Sequence, residues 1–339
     1  MKNRKLIEKI WFADEISRLA AEDDFATASR LLLERQKKEW KRLAEGYQSL
    51  KSVRIKKFDF DKFSINVQFN PERIISTAAK VDDASIKERK CFLCCENLPS
   101  EQKGILYGEE YLILSNPFPI FPEHFTISNI NHFPQGIKEV FYLLLFLSRS
   151  MRKHYTVFYN GPKCGASAPD HLHFQAGSKK LMPVEKEFDS LKKYFGEVLF
   201  DEDGFTAYGI NDGMRKIISL EGDIEDILIH SFNNLYETLT ELNNDREEPM
   251  MNILFSFDPE YGWRIIIFLR SKHRPSRYFI QGNRGLLISP AAVDLGGICI
   301  TPLEKDFEKI TREDLIEIFQ EVSIGKEHFE FVKSKLATR

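Results

Sequence analysis

The chain has eight histidines, and two of them stand one residue apart in the run His-Leu-His-Phe-Gln at 171–175. Just before it lies a loop-like stretch, YNGPKCGASAPD at 159–170, with Gly161 and Gly165. A neutral imidazole is both a nucleophile and a metal ligand. A glycine-containing loop can bring backbone N–H groups close to a phosphate. On a strand, residues i, i+2 and i+4 share one face. His171, His173 and Gln175 are therefore expected side by side, with Leu172 and Phe174 turned into the core. The amides of Gly161, Gly165, Ala166 and Ser167 are the candidates to surround an anion. Together these groups suit attack by an imidazole on phosphorus. The pair of histidines alone fits a metal pair or two structural core histidines equally well.

The whole string, N-G-P-x-x-G-A-S-x-x-D-H-L-H-F-Q, starting at Asn160, is more specific. It resembles the active-site segment of the histidine-triad superfamily. The likeness is to the transferase branch, which holds galactose-1-phosphate uridylyltransferases, diadenosine tetraphosphate phosphorylases and GDP-hexose phosphorylases. The resemblance implies that His173 carries a nucleoside monophosphate as a phosphoramidate, with His171 as its supporting neighbour. It implies that Ser167 and the loop amides hold phosphate oxygens, that Asn160 is a further nucleotide or phosphate contact, and that Gln175 stabilises the nucleotidyl-enzyme. Hydrolases of the superfamily have a third histidine at the position of Gln175. A glutamine amide has no titratable proton to give a poor leaving group. The substitution favours transfer to another phosphate over hydrolysis.

Flanking segments extend the likeness. SNPFPIFPEHFTISNINHFP (115–134) resembles the nucleoside-binding strand pair, with Asn116 near the ribose or base. QFNPERIISTAAKVD (68–82) resembles the segment bringing Asn70, Arg73 and Lys80 to the nucleotide phosphates. FLRSKHRPSRY (268–278) concentrates Arg270, Lys272, His273, Arg274 and Arg277. This run is either a solvated face or a site for a second phosphate. The C-terminal segment from Val293 onward resembles GDP-hexose phosphorylases.

Cys91 and Cys94 have the C-x-x-C spacing suited to tetrahedral zinc, but no second such pair follows. By resemblance to zinc-binding members of the branch, the ligands would be Cys91, Cys94, His132 and His171. The alternative is a set of free buried thiols. Zinc, where bound, is expected to be structural, and the chemistry at His173 requires no cofactor.

The elements that must position these residues read as α+β. Residues 1–50 are expected to be helices, with an Asp cap in the stretch that opens on Asp23 and Asp24, Leu32, Leu33, Trp40 and Leu43 near helical spacing, Gly46 as a stop, and a scaffolding role. The alternation in FSINVQF (63–69) predicts a half-buried strand. Further strands are expected at 105–115, 124–130, 155–160 and 171–176, with a helix over 135–153. Helix, strand, loop and strand recur at 224–271, without the His-x-His. The expected architecture is duplicated halves of antiparallel sheet with packed helices: a helical extension (1–50), a catalytic half (51–185) and a degenerate half (186–339) closed by two helices.

Composition narrows the function. Net charge is −3, with 42% hydrophobic and 29% charged residues, so no basic surplus points to nucleic acid. The longest apolar run, 140–147, is far short of the ~20 residues of a membrane span. Five cysteines and no signal peptide suggest a cytoplasmic protein. The expected function is a nucleotidyltransferase acting on a nucleotide-sugar, with phosphate or a sugar 1-phosphate as acceptor. A diadenosine tetraphosphate phosphorylase, a non-catalytic nucleotide sensor and a zinc hydrolase are the alternatives. Relatives often pair, so the resemblance also points to a homodimer.

Overall fold

The computed structural model describes residues 2–12, 14–243 and 247–337. Four helices open the chain: α1 (Lys2–Lys9), α2 (Asp14–Ala21), α3 (Phe25–Glu39) and α4 (Lys41–Leu50). Asp24 caps α3 by accepting the Thr27 N–H at 3.2 Å, which satisfies one of the free donors of the first turn. Leu32, Leu33, Trp40 and Leu43 are buried, as their spacing predicts. Gly46 does not end α4 but lies inside it. A Cβ there would come 2.2 Å from the Pro117 carbonyl oxygen, so glycine permits close contact between this helix and the 117 loop.

Next come β1 (Arg54–Asp59), β2 (Ser64–Phe69), α5 (Ile74–Thr77) and α6 (Asp83–Glu88), then β3 (Gly104–Tyr107), β4 (Tyr111–Ser115) and β5 (His124–Asn129). They are followed by α7 (Phe141–Ser150), β6 (Tyr155–Asn160), β7 (His173–Ser178), α8 (Pro183–Phe195), β8 (Gly196–Glu202), β9 (Phe205–Asn211) and β10 (Lys216–Gly222). The chain closes with α9 (Glu225–Asn243), β11 (Met251–Asp258), β12 (Gly262–Leu269), α10 (Ala292–Leu295), β13 (Ile298–Thr301), α11 (Glu304–Lys309), α12 (Arg312–Val322) and α13 (Lys326–Ala337).

Among the described residues, ten strands form one antiparallel sheet in the order β3-β4-β5-β7-β6-β11-β12-β10-β9-β8. The order is symmetric about the β6–β11 seam, where Asn160 faces Asn252 and Val157 faces Phe255. Each half is a three-stranded meander, a helix, and two strands that return to the centre. The helices α7 and α9 cover one side, with the rings of Phe141 and Phe232 stacked at 3.8 Å. A smaller sheet, β1-β2-β13, has β13 parallel to β2. Because β2 lies between two strands, Ser64 and Gln68 are buried along with Ile65 and Val67, and the strand is not half-exposed as its alternation suggests.

Other expectations change in detail. Residues 105–115 form a hairpin turning at Gly108, whose φ is +59°. The helix expected over 135–153 is confined to α7, and the tail holds three helices (α11–α13). Strand β7 begins at His173, so His171 sits in the bend before it and does not share the face of His173 and Gln175. No helix among the described residues is long and apolar enough to cross a membrane.

Candidate active site

His173 opens β7, opposite Ser128 of β5. Its Nδ1 lies 2.8 Å from the His171 carbonyl oxygen. A carbonyl only accepts, so Nδ1 carries the hydrogen and Nε2 keeps its lone pair. Burial pulls the imidazole down to about 4, which leaves it neutral at physiological pH. The strand itself is clasped by Gln135. Its Oε1 accepts the His173 N–H, and its Nε2 donates to the carbonyls of His173 and Asn160, each at 2.9 Å. Gln135 was not singled out from sequence, where nothing distinguishes it from any glutamine ahead of a helix.

Gln175 is oriented by a second residue that sequence alone did not assign. The Nδ1 of His124 accepts the Ile120 N–H at 3.2 Å, so its Nε2–H donates to Gln175 Oε1 at 2.9 Å. Burial and the nearby Arg73 guanidinium drive His124 down to about 3, so this tautomer persists. The Gln175 amide N–H groups are left for the space in front of the strand.

That space is a cavity of about 860 Å³ running across the sheet face. His173, Gln175, Asn160, Gly165 and Ser167 line its middle. Gly165 has φ +88°, and a Cβ there would lie 2.6 Å from the Ala291 Cβ, so this position demands glycine. The other two loop amides do not reach the cavity wall. Gly161 donates its N–H to Met251 at 3.2 Å, and Ala166 is buried behind the loop. On the β4 side the wall is mostly apolar: Leu98, Pro99, Leu114 and Trp40. Asn116 joins them, its Nδ2 donating to Thr126 Oγ1 at 3.1 Å and its Oδ1 accepting the Phe118 N–H at 2.9 Å. The opposite wall comes from the second half: Ser289, Ala291, Val293, Asp294 and Ile300. Burial raises the Asp294 carboxyl to about 6, although it accepts the Ala291 and Ile300 N–H groups.

Four cations border the cavity: Arg42, Arg73, Lys80 and Arg89. Arg42 pairs with Glu72 at 2.7 Å and lies over the Phe118 ring; Arg89 pairs with Asp170. Arg73 donates to the Phe118 carbonyl at 2.9 Å and feels the nearby Asp294 carboxyl, but it makes no direct ion pair among the described residues, and its Nε is unpartnered. Desolvation lowers it only to about 10, so it stays a cation with charge to offer an anion. Lys80 is exposed at the rim.

The helical extension is more than scaffold. Trp40 and Arg42 line the cavity, Lys9 donates to the Leu98 and Pro99 carbonyls at 3.0 and 2.6 Å, and Gln36 donates to the Glu101 carbonyl at 2.9 Å. Several candidate contacts lie elsewhere. Asn70 is buried and donates to the Pro119 carbonyl at 3.1 Å. Arg270 is buried, Lys272 pairs with Glu321 at 2.9 Å on the surface, and neither these nor His273 line the cavity.

Beside the bend at His171, the ligand atoms of Cys91, Cys94, His132 and His171 all lie within 4.8 Å of one another. Nε2–H of His171 donates to the Asn129 carbonyl at 2.7 Å. Its Nδ1 lone pair therefore faces the sulfurs of Cys91 and Cys94, at 3.2 and 3.6 Å. His132 Nδ1 is 3.3 Å from the Cys94 sulfur. Two thiols and two correctly turned imidazoles in this space fit a tetrahedral zinc ion.

The family described as a domain of unknown function (DUF4922) matches residues 32–178, and the family described as GDPGP1-like, C-terminal domain matches 215–338. No curated protein sequence matches the chain. Among solved structures, yeast Ap4A phosphorylase Apa2 superposes with a TM-score of 0.54 at 17% identity, over 86% of this chain and 97% of the other. The chain has the fold of that yeast enzyme. The same yeast enzyme in complex with Ap4A gives a TM-score of 0.51 at 16% identity, over 84% of this chain and 97% of the other. A uridylyltransferase aligns at 11% identity over 69% of this chain and 91% of the other, with a TM-score of 0.40, too loosely to bear on this chain.

Proposed function

We propose that the protein is a nucleotidyltransferase of ping-pong type that acts on a nucleotide-sugar and uses His173 as its nucleophile. The observation that carries this reading is the free Nε2 of His173, opening on a cavity that also holds Ser167, Gly165 and an unpaired arginine. In the first step the Nε2 lone pair forms a bond to the α-phosphorus, and the bond from that phosphorus to the bridging oxygen breaks. The hexose 1-phosphate departs with the electron pair. The nucleotidyl-imidazole is a cation, and its Nδ1–H points at the His171 carbonyl, which stabilises the charge. In the second step an oxygen of inorganic phosphate attacks the same phosphorus, a nucleoside diphosphate forms, and His173 is regenerated. Gln175 and Arg73 supply donors and charge to the non-bridging oxygens. A phosphate leaves without a proton, so an amide at 175 suffices where a hydrolase needs an acid.

The apolar end of the cavity, with Trp40, Leu98 and Leu114, suits a nucleobase. The more polar wall built by residues 289–300 suits the leaving group. On this reading, residues 51–185 carry the reacting side chains, the second half supplies the far wall, and one chain contains a complete site, with or without a homodimer. The likeness of the C-terminal segment to GDP-hexose phosphorylases favours a GDP-hexose. The likeness in fold to Ap4A phosphorylase supports a dinucleoside polyphosphate as the second reading. Zinc at Cys91, Cys94, His132 and His171 would fix the bend that presents the His171 carbonyl, leaving the chemistry to His173. Five buried free cysteines suit a reducing compartment such as the cytoplasm.

The test is a panel of nucleotide-sugars and Ap4A, each with inorganic phosphate, followed by mass spectrometry of the His173 peptide after mixing without acceptor. A nucleoside-monophosphate adduct on that peptide is expected. Near-normal phosphorolysis by His173→Ala would sink the covalent route, and release of nucleoside monophosphate to water would favour the hydrolase.

A further inference from the structure

Asn160 ends β6 at the cavity, and its neighbours allow its amide one orientation. The determining group is Arg270, 3% exposed beyond β12. All five of its N–H donors have acceptors. Nε donates to the Val322 carbonyl at 3.2 Å, Nη1 to Asn252 Oδ1 at 2.6 Å and the Pro290 carbonyl at 2.9 Å, and Nη2 to the Lys272 and His273 carbonyls at 2.8 and 3.0 Å. A guanidinium cannot accept a hydrogen bond, so the Asn252 atom facing it is the oxygen. The Asn252 Nδ2 then points away, donating to Asn160 Oδ1 at 2.8 Å and the Cys164 carbonyl at 2.7 Å. Asn160 Oδ1 also accepts the Ala292 N–H at 2.8 Å. What is left is the Asn160 Nδ2. It has no protein partner among the described residues, and Asn160 lines the cavity together with Gly165, Ser167 and His173.

We propose that Arg270 and Asn252, both in the half without the His-x-His, are positioning residues that fix the polarity of the Asn160 amide so that its Nδ2 donates to a nucleotide phosphate oxygen. A reversed amide would turn its carbonyl oxygen toward the anion and set its own N–H groups against two donors. Asn252 is fully buried and Asn160 only 5% exposed. In such surroundings a chain of oriented dipoles is strengthened, and a reversed one is costly. The basic run at 268–278 thus contributes to anion binding through an intermediary and not by contact. The proposal rests on the nucleotide reading of the cavity.

Asn252→Asp tests it, because the carboxylate keeps its bond to Arg270 and its size but cannot donate to Asn160. The measurements are mononucleotide affinity by calorimetry and single-turnover rate on the active nucleotide substrate, for wild type, Asn160→Ala, Asn252→Asp and the double variant. Each single variant is expected to lose about 10- to 100-fold in single-turnover rate over affinity, the scale of one charge-assisted donor. The double variant is expected to match Asn160→Ala alone, since Asn252 acts only through that amide. Losses that multiply, or an Asn252→Asp protein with a lowered melting temperature and unchanged affinity and rate, would assign Asn252 a purely structural role and overturn the relay. If the wild type neither binds nor turns over any nucleotide, the nucleotide reading fails and the relay with it. Normal wild-type turnover with multiplying losses removes the relay alone.

Discussion

The Nδ1 of His173 sits 2.8 Å from the carbonyl oxygen of His171, and the ring of that same His171 faces two cysteine sulfurs. The residue that completes the cysteine–histidine cluster therefore fixes, through its backbone, which nitrogen of the neighbouring imidazole is free. The first prediction follows from the buried state of that imidazole. Protonation destroys the nucleophile, and its folded pKa is about 4 against an ordinary 6.5. The single-turnover rate of nucleotidylation should stay flat through pH 6.5 and fall only toward pH 4. An acid limb centred near 6.5 would show His173 to be solvated in the working enzyme.

Gln175 and His124 form a donor and its support. Gln175→Ala should slow nucleotidylation by ~10²–10³-fold, the range for removing one oriented donor. His124→Phe, which leaves the Gln175 amide free to turn, should cost less, about 10-fold on the scale of one hydrogen bond to a charged group. Stopped-flow single turnovers on the two variants measure the ratio. Equal and small effects would place Gln175 outside the reaction.

Stability should depend on acid in a defined window. His124 and His173 have folded pKa values of about 3 and 4, below the unfolded 6.5. As pH falls below 6.5 the unfolded chain takes up two protons that the folded chain refuses, so stability declines until the folded pKa values are passed. Urea midpoints at pH 7.5 and 5 should differ, and replacing His124 by Phe should flatten that difference. An unchanged slope would mean that His124 is hydrated.

Arg73 brings an unpaired charge to the cavity. Arg73→Met should weaken nucleotide binding by about 10-fold or more, as expected for one charge-assisted contact. Its melting temperature without ligand should stay level or rise, because a desolvated cation has been removed. Isothermal titration and a thermal melt distinguish this from a structural arginine, whose loss would lower the melting temperature with no change in affinity.

Purified protein should contain close to one zinc ion per chain by elemental analysis, held at the site whose four ligand atoms cluster within 4.8 Å. Cys91→Ser with Cys94→Ser should abolish the zinc and lower the melting temperature. Nucleotidylation should slow without vanishing, because His173 is not a ligand. Complete loss of chemistry in a protein that still melts cooperatively would point to a catalytic metal.

The amino-acid sequence by itself determined the local features: the strand carrying His173 and Gln175, the glycine at 165, the helical extension with an aspartate cap, and the C-x-x-C pair. Each is legible because its residues lie within a few positions and obey one period or one turn. Tertiary structure decided what surrounds them. His171 leaves the face of His173 because the strand starts two residues later than the alternation suggests, a matter of pairing with β5 and β6. Gln135 and His124 reach the backbone of His173 and the amide of Gln175 from two other segments, and Trp40 reaches the cavity from a third; nothing in their own neighbourhoods announces it, whereas the segment of Arg73 pointed to the phosphates. Arg270 is the clearest case. Sequence gives its charge, but only burial and five carbonyl or amide acceptors turn that charge from a contact for an anion into a fixed orientation for Asn160.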